Sequence, residues 1–351
     1  MPGDHRFGLY DEHAQRHFDQ RRESPTQSSL FKLDQNIGRH RYVVIADHTS
    51  LQRVRLSVYP WTSAGRRNVC FQGSLIEMKI RRSAYLLFPL AFLGLYTAQS
   101  ENSEKKHLLV VGTQRGYRHE SVSHAMATIE RMGETTGLWE TTLCTDTEVL
   151  TKKKLEFNAK NLNDFDAVLF FTAGDLPMDA QQKADLLSFV HDDGKGFVGV
   201  HSATITFTDW RAYGEMIGGY FDEHPWGTFN APIIIEDPQF PGMQQWPKSF
   251  IFRDEIYQIR NYSRDRVRVL MRLDASHLDL ANPKVHRTDR DFAVTWAKMY
   301  GKGRVYYSTL GHPKENWDNP NLQKMYTEAI KWATGLVNAD VTPRPLPSNV
   351  N

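Results

Sequence analysis

Cysteine is almost missing from this chain of 351 residues: only Cys70 and Cys144 are present. Cys70 lies in an N-terminal stretch set apart below, so the main body carries one thiol, which excludes an internal disulfide framework. Excess charge is missing too, with a formal net of +2. Residues 101–351 carry 29 basic and 33 acidic side chains, a balance that argues against nucleic acid as a partner. No fixed-period repeat is present, which excludes a solenoid or propeller. There is no short-spaced ligand motif such as His-Glu-x-x-His. The apolar run Ala84–Tyr96 is too short for a comfortable membrane span.

That run does have a purpose in its own context. "MKIRRSAYLLFPLAFLGLYTAQSEN" opens on Lys79, Arg81 and Arg82, continues through the apolar run, and reaches small residues at Ala98 and Ser100. This three-part layout predicts a secretory signal peptide over 78–100 and therefore export, periplasmic or secreted, with membrane contact only through that signal. A signal peptide does not work from mid-chain, so Met78 is the expected start. Residues 1–77, with 11 basic and 8 acidic groups, then read as an upstream mis-start. The alternative is a genuine disordered arm with short strands such as "RYVVIAD".

From His107 the texture alternates. "HLLVVG", "WETTLCTD", "FDAVLFFTAGD" and "GFVGVH" read as strands. Between them, Val122, Met126, Ile129 and Met132 have helical spacing, and "MDAQQKADLLSFVHDD" is an amphipathic helix ended by Gly194. Apolar strands alternating with helices predict an α/β fold with a mostly parallel, doubly wound sheet covered on both faces. Ligands then bind beyond the carboxyl ends of the strands, a rim made of 113–121, 172–176 and 201–207. After a helix around 209–217, five strand-like runs separated by turn residues predict a β-rich insertion. The last of them, "GRVYYSTLG", is expected to return to the core before a closing helix, and the Pro-rich tail 339–351 to be disordered.

Candidate site residues cluster on that rim. "GVHSA" occupies the place of a nucleophile elbow, but its central residue is His201, followed by Ser202, where a hydrolase would need Ser and an amidotransferase Cys. "RGYRHES" contributes Arg115, Arg118 and His119, with Ser121 as a helix N-cap. "GGYFDEHPWG" places His224 beside Trp226, a combination suited to a sugar-facing wall. In "FRDEIYQI", alternation puts Glu255 and Tyr257 on one face and Asp254 on the other. "STLGHP" ends a second core strand at His312. Imidazoles and a carboxylate are suitable metal ligands, so His201, His224, His312 and Glu255 are candidates for a divalent ion such as zinc.

Together, "GYRHES", "GFVGVHSA", "YGEMIGGYFDEHP", "RDEIY" and "GKGRVYYSTLGH" resemble the ThuA-like (trehalose utilisation) family of the class I glutamine amidotransferase-like superfamily. The resemblance covers about 105–336. It implies a flavodoxin-like core and a carbohydrate ligand, a disaccharide or a 3-keto sugar. Matching motif by motif, it implies pocket roles for His119, His201, His224, Asp254, Glu255, Tyr257 and His312. The elbow departs from true amidotransferases in carrying His201, which argues against glutamine hydrolysis.

The expected function is an exported protein of carbohydrate metabolism. Its catalytic residues would be His201, His312 and Glu255, acting by acid/base or metal-assisted chemistry. Substrate would be bound by His119, Ser202, His224, Trp226, Asp254 and Tyr257. The alternatives are a non-catalytic sugar-binding protein and, remotely, an amidotransferase-type hydrolase. The partner is a small carbohydrate, with a homo-oligomer as a further possibility.

Overall fold

The computed structural model describes residues 31–37, 40–46, 57–60, 104–156 and 159–346. They fall in two units, within Met1–Ala98 and Gln99–Asn351. In the first, β1 (Phe31–Ile37), β2 (His40–Ala46) and β3 (Ser57–Pro60) form an antiparallel sheet with β2, which contains the "RYVVIA" stretch, in the middle. The segment 78–100, read as a signal peptide, lies outside the described residues. No helix among the described residues is long and apolar enough to cross a membrane.

The second unit begins with β4 (Lys106–Val111), α1 (Ser121–Thr136), β5 (Trp139–Cys144) and β6 (Ala167–Phe170). It continues with α2 (Ala180–His191), β7 (Gly196–Val200), α3 (Arg211–Ile217), β8 (Tyr220–Glu223) and β9 (Thr228–Ile235). β10 (Ser249–Glu255), β11 (Gln258–Arg260), β12 (Arg268–Leu273), β13 (Ala293–Tyr300), β14 (Gly303–Ser308) and α4 (Pro320–Ala333) complete it.

One nine-stranded sheet runs in the order β10-β9-β12-β13-β14-β7-β6-β4-β5. Its parallel part, β5-β4-β6-β7-β14, has the flavodoxin-like order 2-1-3-4-5 when its strands are counted along the chain. The remaining four strands join antiparallel beyond β14. The β-rich insertion is thus mostly an extension of the core sheet, and only β8 and β11 pair separately. This follows from β14: it pairs with β7 on one edge and with β13 on the other, so the hairpin β13–β14 carries the inserted strands into the sheet.

Strand alternation builds two apolar layers. Leu108 and Val110 face α1 and α4, whereas Leu109 and Val111 face the α2 and α3 side. α1 ends on Gly137 in the left-handed conformation, as its position just past the helix requires. The start of α1 differs from expectation. Glu120 takes the cap position without a side-chain bond, and Ser121 is the first helical residue, its buried hydroxyl unpartnered. α2 has a complete capping box between Asp179 and Gln182.

The tail also differs from expectation over its described part. Ala339 and Val341 pack on the core, and the Thr342 carbonyl accepts from Arg268 Nη1 at 2.8 Å. Arg268 is 2% exposed and has five N–H donors to satisfy, so a tail carbonyl is drawn in as a partner.

Candidate active site

In a parallel sheet of this order, the chain reverses direction between β4 and β6, and the loops beyond their carboxyl ends form a crevice. Two single bridges stitch that rim together: Gln114 with Ala173, and Gly174 with Thr206. Adjacent to it, β7 ends abruptly on His201. The residue has φ +43°, a left-handed conformation uncommon outside glycine, and opens a 3-10 turn over His201–Ile205. The turn is possible because the residues two before and two after are small. A Cβ on Gly199 would come within 3.4 Å of the Ala203 Cβ and 3.0 Å of Ile217 and Tyr307. The strand–turn geometry is that of a nucleophile elbow, with an imidazole at its tip.

The imidazole is fully buried and committed at both nitrogens. Nδ1 lies 2.6 Å from the Thr309 carbonyl oxygen, which can only accept, so Nδ1 carries the proton and Nε2 in the neutral ring is bare. That Nε2 lies 2.7 Å from the Tyr257 hydroxyl, 3.0 Å from His312 Nδ1 and 3.5 Å from Glu255 Oε2. Glu255 Oε2 is in turn 3.1 Å from His312 Nδ1.

His119 closes the group through Gln114. The Gln114 amide nitrogen donates to the Phe171 carbonyl at 2.8 Å, which turns its oxygen toward His119 Nδ1, 2.9 Å away. Nδ1–H must therefore donate to that oxygen, leaving Nε2 free. The same amide nitrogen reaches Ser202 Oγ at 3.5 Å. His119, His201, Glu255 and His312 thus offer four ligand atoms that all lie within 4.8 Å of one another.

Glu255 comes from β10, which three strands separate from β14 in the sheet order. Asp254 ties the two ends together. Its buried carboxylate accepts from the backbone N–H groups of Gly311 (2.7 Å) and His312 (3.0 Å), and from Asn316 Nδ2 (2.9 Å). The Glu255 N–H donates to it as well, at 2.8 Å, and Tyr257 N–H donates to Thr309 Oγ at 3.1 Å. Asp254 is therefore a positioning residue for the His312 loop, without the substrate contact expected of it. Asp254→Asn would turn one acceptor into a donor facing N–H groups. It should lower stability by about 1–3 kcal/mol, measured by urea unfolding, and Asp254→Glu should not rescue it because the longer side chain has no room.

The electrostatics follow from this packing. Burial, reinforced by the His201 and His312 rings, lowers the His119 pKa to about 3 and keeps it uncharged. Burial alone would raise Glu255, but the adjacent His201 and His312 imidazoles outweigh it and hold the carboxyl well below the usual range. For His312, burial opposes charge, yet the Glu255 carboxylate prevails and raises its pKa. Burial raises Asp254 and drives the Tyr257 hydroxyl far above its ordinary value.

Two expected residues stand elsewhere. His224 is outside the four-residue group; its Nδ1 faces Glu223 at 3.4 Å and its ring packs toward Phe221. The metal candidate that sequence placed on His224 is replaced by His119, because the His224 ring is taken up by Glu223 and Phe221 whereas Gln114 holds the His119 ring against the elbow. Trp226 packs edge-on to Phe292 and donates to the Asp279 carbonyl, an aromatic anchor of the core where a sugar wall was expected. Tyr257 is 2% exposed and contacts His201 in place of a ligand. Ser202 is fully buried beneath Gln114.

Sequence reasoning missed Gln114 and Tyr117. Tyr117 is 67% exposed, with its ring edge-on to His119 at 4.8 Å, and the "RGYRHES" stretch was the available signal. Around His119 open a cleft of about 580 Å³, lined by Thr113, Gln114, Arg115, Arg118 and His119 among others, and one of about 210 Å³ bordered by Tyr117, His312 and Lys314. A further cleft near Lys106 and Lys195 sits at the amino ends of the strands, away from these groups.

The ThuA family model, described as trehalose utilisation, matches residues 107–333. The chain belongs to the ThuA family. Two solved structures share the ThuA fold. A ThuA-like protein from Bacteroides uniformis has 19% identity and a TM-score of 0.55, with 68% of this chain and 95% of that chain covered. Another from Parabacteroides merdae has 16% identity and a TM-score of 0.53, with 70% and 94% covered. No curated protein matches the chain. Membership carries a carbohydrate-related role with it. The elbow of this ThuA chain holds no thiol: Cys144 ends β5, where burial raises its pKa.

Proposed function

We propose that this ThuA-family chain is an exported enzyme acting on a disaccharide oxidised to its 3-keto form, of the trehalose type. The observation that carries the reading is the convergence of His119, His201, Glu255 and His312 at the carboxyl ends of the parallel strands, beside clefts large enough for a small sugar. Family membership supports the carbohydrate class, and the basic-apolar-small layout of 78–100 supports export.

A ketone acidifies the C–H bonds on the carbons next to it. A base takes one of those protons, and the C–H electron pair moves toward the carbonyl oxygen to give an enolate. Return of a proton to a different carbon or oxygen isomerises the sugar. Alternatively, the enolate electrons expel the glycosidic oxygen, which takes up the proton, and the two sugars part. Either route needs positive charge at the carbonyl oxygen and an ionised base nearby. His312, whose charged form the Glu255 carboxylate favours, offers the first, and Glu255 itself, held ionised by its neighbours, offers the second. The exposed Tyr117 ring offers a flat face for a sugar's C–H bonds, and Arg115 and Arg118 offer donors for its hydroxyls.

Proton NMR of trehalose and 3-keto-trehalose incubated with the full chain tests this directly. The keto sugar is expected to be converted, to an isomer or to two fragments, and trehalose to be left intact. Glu255→Gln should slow conversion by roughly 10²-fold or more. If the keto sugar binds, seen as line broadening, and returns unchanged, the chain is a sugar-binding protein and the enzymatic reading fails.

A further inference from the structure

We propose that His119 Nε2, His201 Nε2, His312 Nδ1 and Glu255 Oε2 bind one divalent transition metal ion of the zinc class. The inference deepens the reading of this site given above, but it stands on geometry and is tested apart from turnover.

The arrangement of the rings is the first argument. The centroids of His119, His201 and His312 are 4.9, 5.2 and 4.9 Å apart, a nearly equilateral triangle, with interplanar angles of 85°, 86° and 68°. Three imidazoles stacked for packing would have no reason to aim nitrogens at a common point. Metal bonds of roughly 2.0–2.2 Å place tetrahedral ligands about 3.4 Å apart. The separations among His201, His312 and Glu255 are 3.0, 3.1 and 3.5 Å, so occupancy requires movements of only a few tenths of an ångström for these three.

The second argument is the outer shell. His201 is held by the Thr309 carbonyl and His119 by the Gln114 amide oxygen, each through Nδ1–H, so each ring presents an unprotonated Nε2 to the cluster. Fixing the tautomer of a ligand through its other nitrogen is what metal-bound histidines require.

The third is arithmetic. His201 Nε2 has one lone pair, yet three polar atoms crowd it within 3.5 Å. Hydrogen bonds alone serve one of them well, whereas a single cation between the groups serves the imidazoles and the carboxylate together. Three nitrogens and one carboxylate oxygen, with no sulfur, suit zinc and its neighbours better than calcium or magnesium. Such an ion would take the developing negative charge of a sugar carbonyl oxygen, the electrophilic part of the chemistry proposed above.

The test is metal content and binding in the full chain. After chelator treatment and dialysis, titration with zinc followed by elemental analysis should give one ion per chain. Cobalt(II) should give the intense visible absorption of a four- or five-coordinate site. His119→Ala and Glu255→Gln should each weaken zinc binding at least ~10-fold, and Gln114→Ala, which touches no ion, should weaken it ~10–100-fold by releasing the His119 ring. His224→Ala, outside the group, should bind as the parent does. Absence of stoichiometric zinc, or binding indifferent to His119→Ala and Glu255→Gln, would overturn the site. The two readings fail separately. Zinc bound with the keto sugar untouched would sustain the metal site against the enzymatic proposal; the keto sugar converted by a chain that takes up no zinc would do the reverse.

Discussion

His201→Asn is expected to slow conversion of 3-keto-trehalose by ~10³-fold while leaving the chain folded. The choice of asparagine removes the backbone as an explanation. At φ +43° most residues are strained, but asparagine enters the left-handed region more readily than most. What it lacks is reach. The imidazole spans from the Thr309 carbonyl on one side to Tyr257, His312 and Glu255 on the other, and a side-chain amide cannot hold both ends. Tyr257, 2% exposed, would lose its hydroxyl partner, at a cost of roughly 1–3 kcal/mol. Circular dichroism and thermal unfolding would separate that loss from the catalytic one. A variant that stays within tenfold of the parent would show that the elbow imidazole is structural and shift the chemistry to His312 and Glu255.

The largest expected effect on stability falls on residues outside this site. Arg264→Ala should destabilise the fold by about 3–5 kcal/mol, a fall in Tm of roughly 10 °C. Arg264 is buried and bonded to two carboxylates: its Nη1 and Nη2 donate to Glu236 at 2.8 and 2.7 Å, and its Nε and Nη2 to Asp291 at 2.7 and 2.8 Å. Glu236 also faces Arg272 at 2.8 Å, and the neighbouring Asp237 pairs with Arg268 at 2.7 Å. Removing the guanidinium leaves Asp291, 4% exposed, without its cation in a medium that solvates charge poorly. The control is Arg211→Ala. That residue also pairs with a carboxylate at 2.7 Å, Glu215, but its side chain is 91% exposed, so the change should cost under about 0.5 kcal/mol. Equal losses in the two variants, by urea unfolding, would refute the argument from burial.

The arginine network also shows how legibility varies along the chain. "IIIEDP" and "RVRVLMRLD" read as strands, but nothing in them says that Asp237, Arg268 and Arg272 are inside, and nothing in the turn before the second says so of Arg264. Charge in a sequence reads as surface, and only a partner brought from another strand makes burial tolerable. By contrast, the strands β4, β6 and β7 were legible as apolar runs because both faces of a parallel sheet are covered, so every fully buried side chain along them is apolar or small.

The sequence by itself determined the doubly wound sheet, the rim where its strands end, and the presence there of His201 and His312, since an apolar run broken by an imidazole is a local signal. It also determined the family, through several ordered motifs. Glu255 and His119 were already named among the pocket residues, but tertiary structure alone decided that these two join the pair and His224 does not. His119 stands 82 positions before His201, and Glu255 reaches the elbow from a strand that the sheet places far along its order. His224 and His119 look alike as loop histidines, and only the fold of their loops separates them: one is taken up by Glu223 and Phe221, while the other is drawn in by Gln114. Trp226 looked like a ligand wall until Phe292 and the Asp279 carbonyl claimed it. Spacing along the chain encodes periodic local structure, whereas a site of four side chains from four separate segments depends on chain paths whose lengths follow no period, and so it becomes visible only when the sheet is assembled.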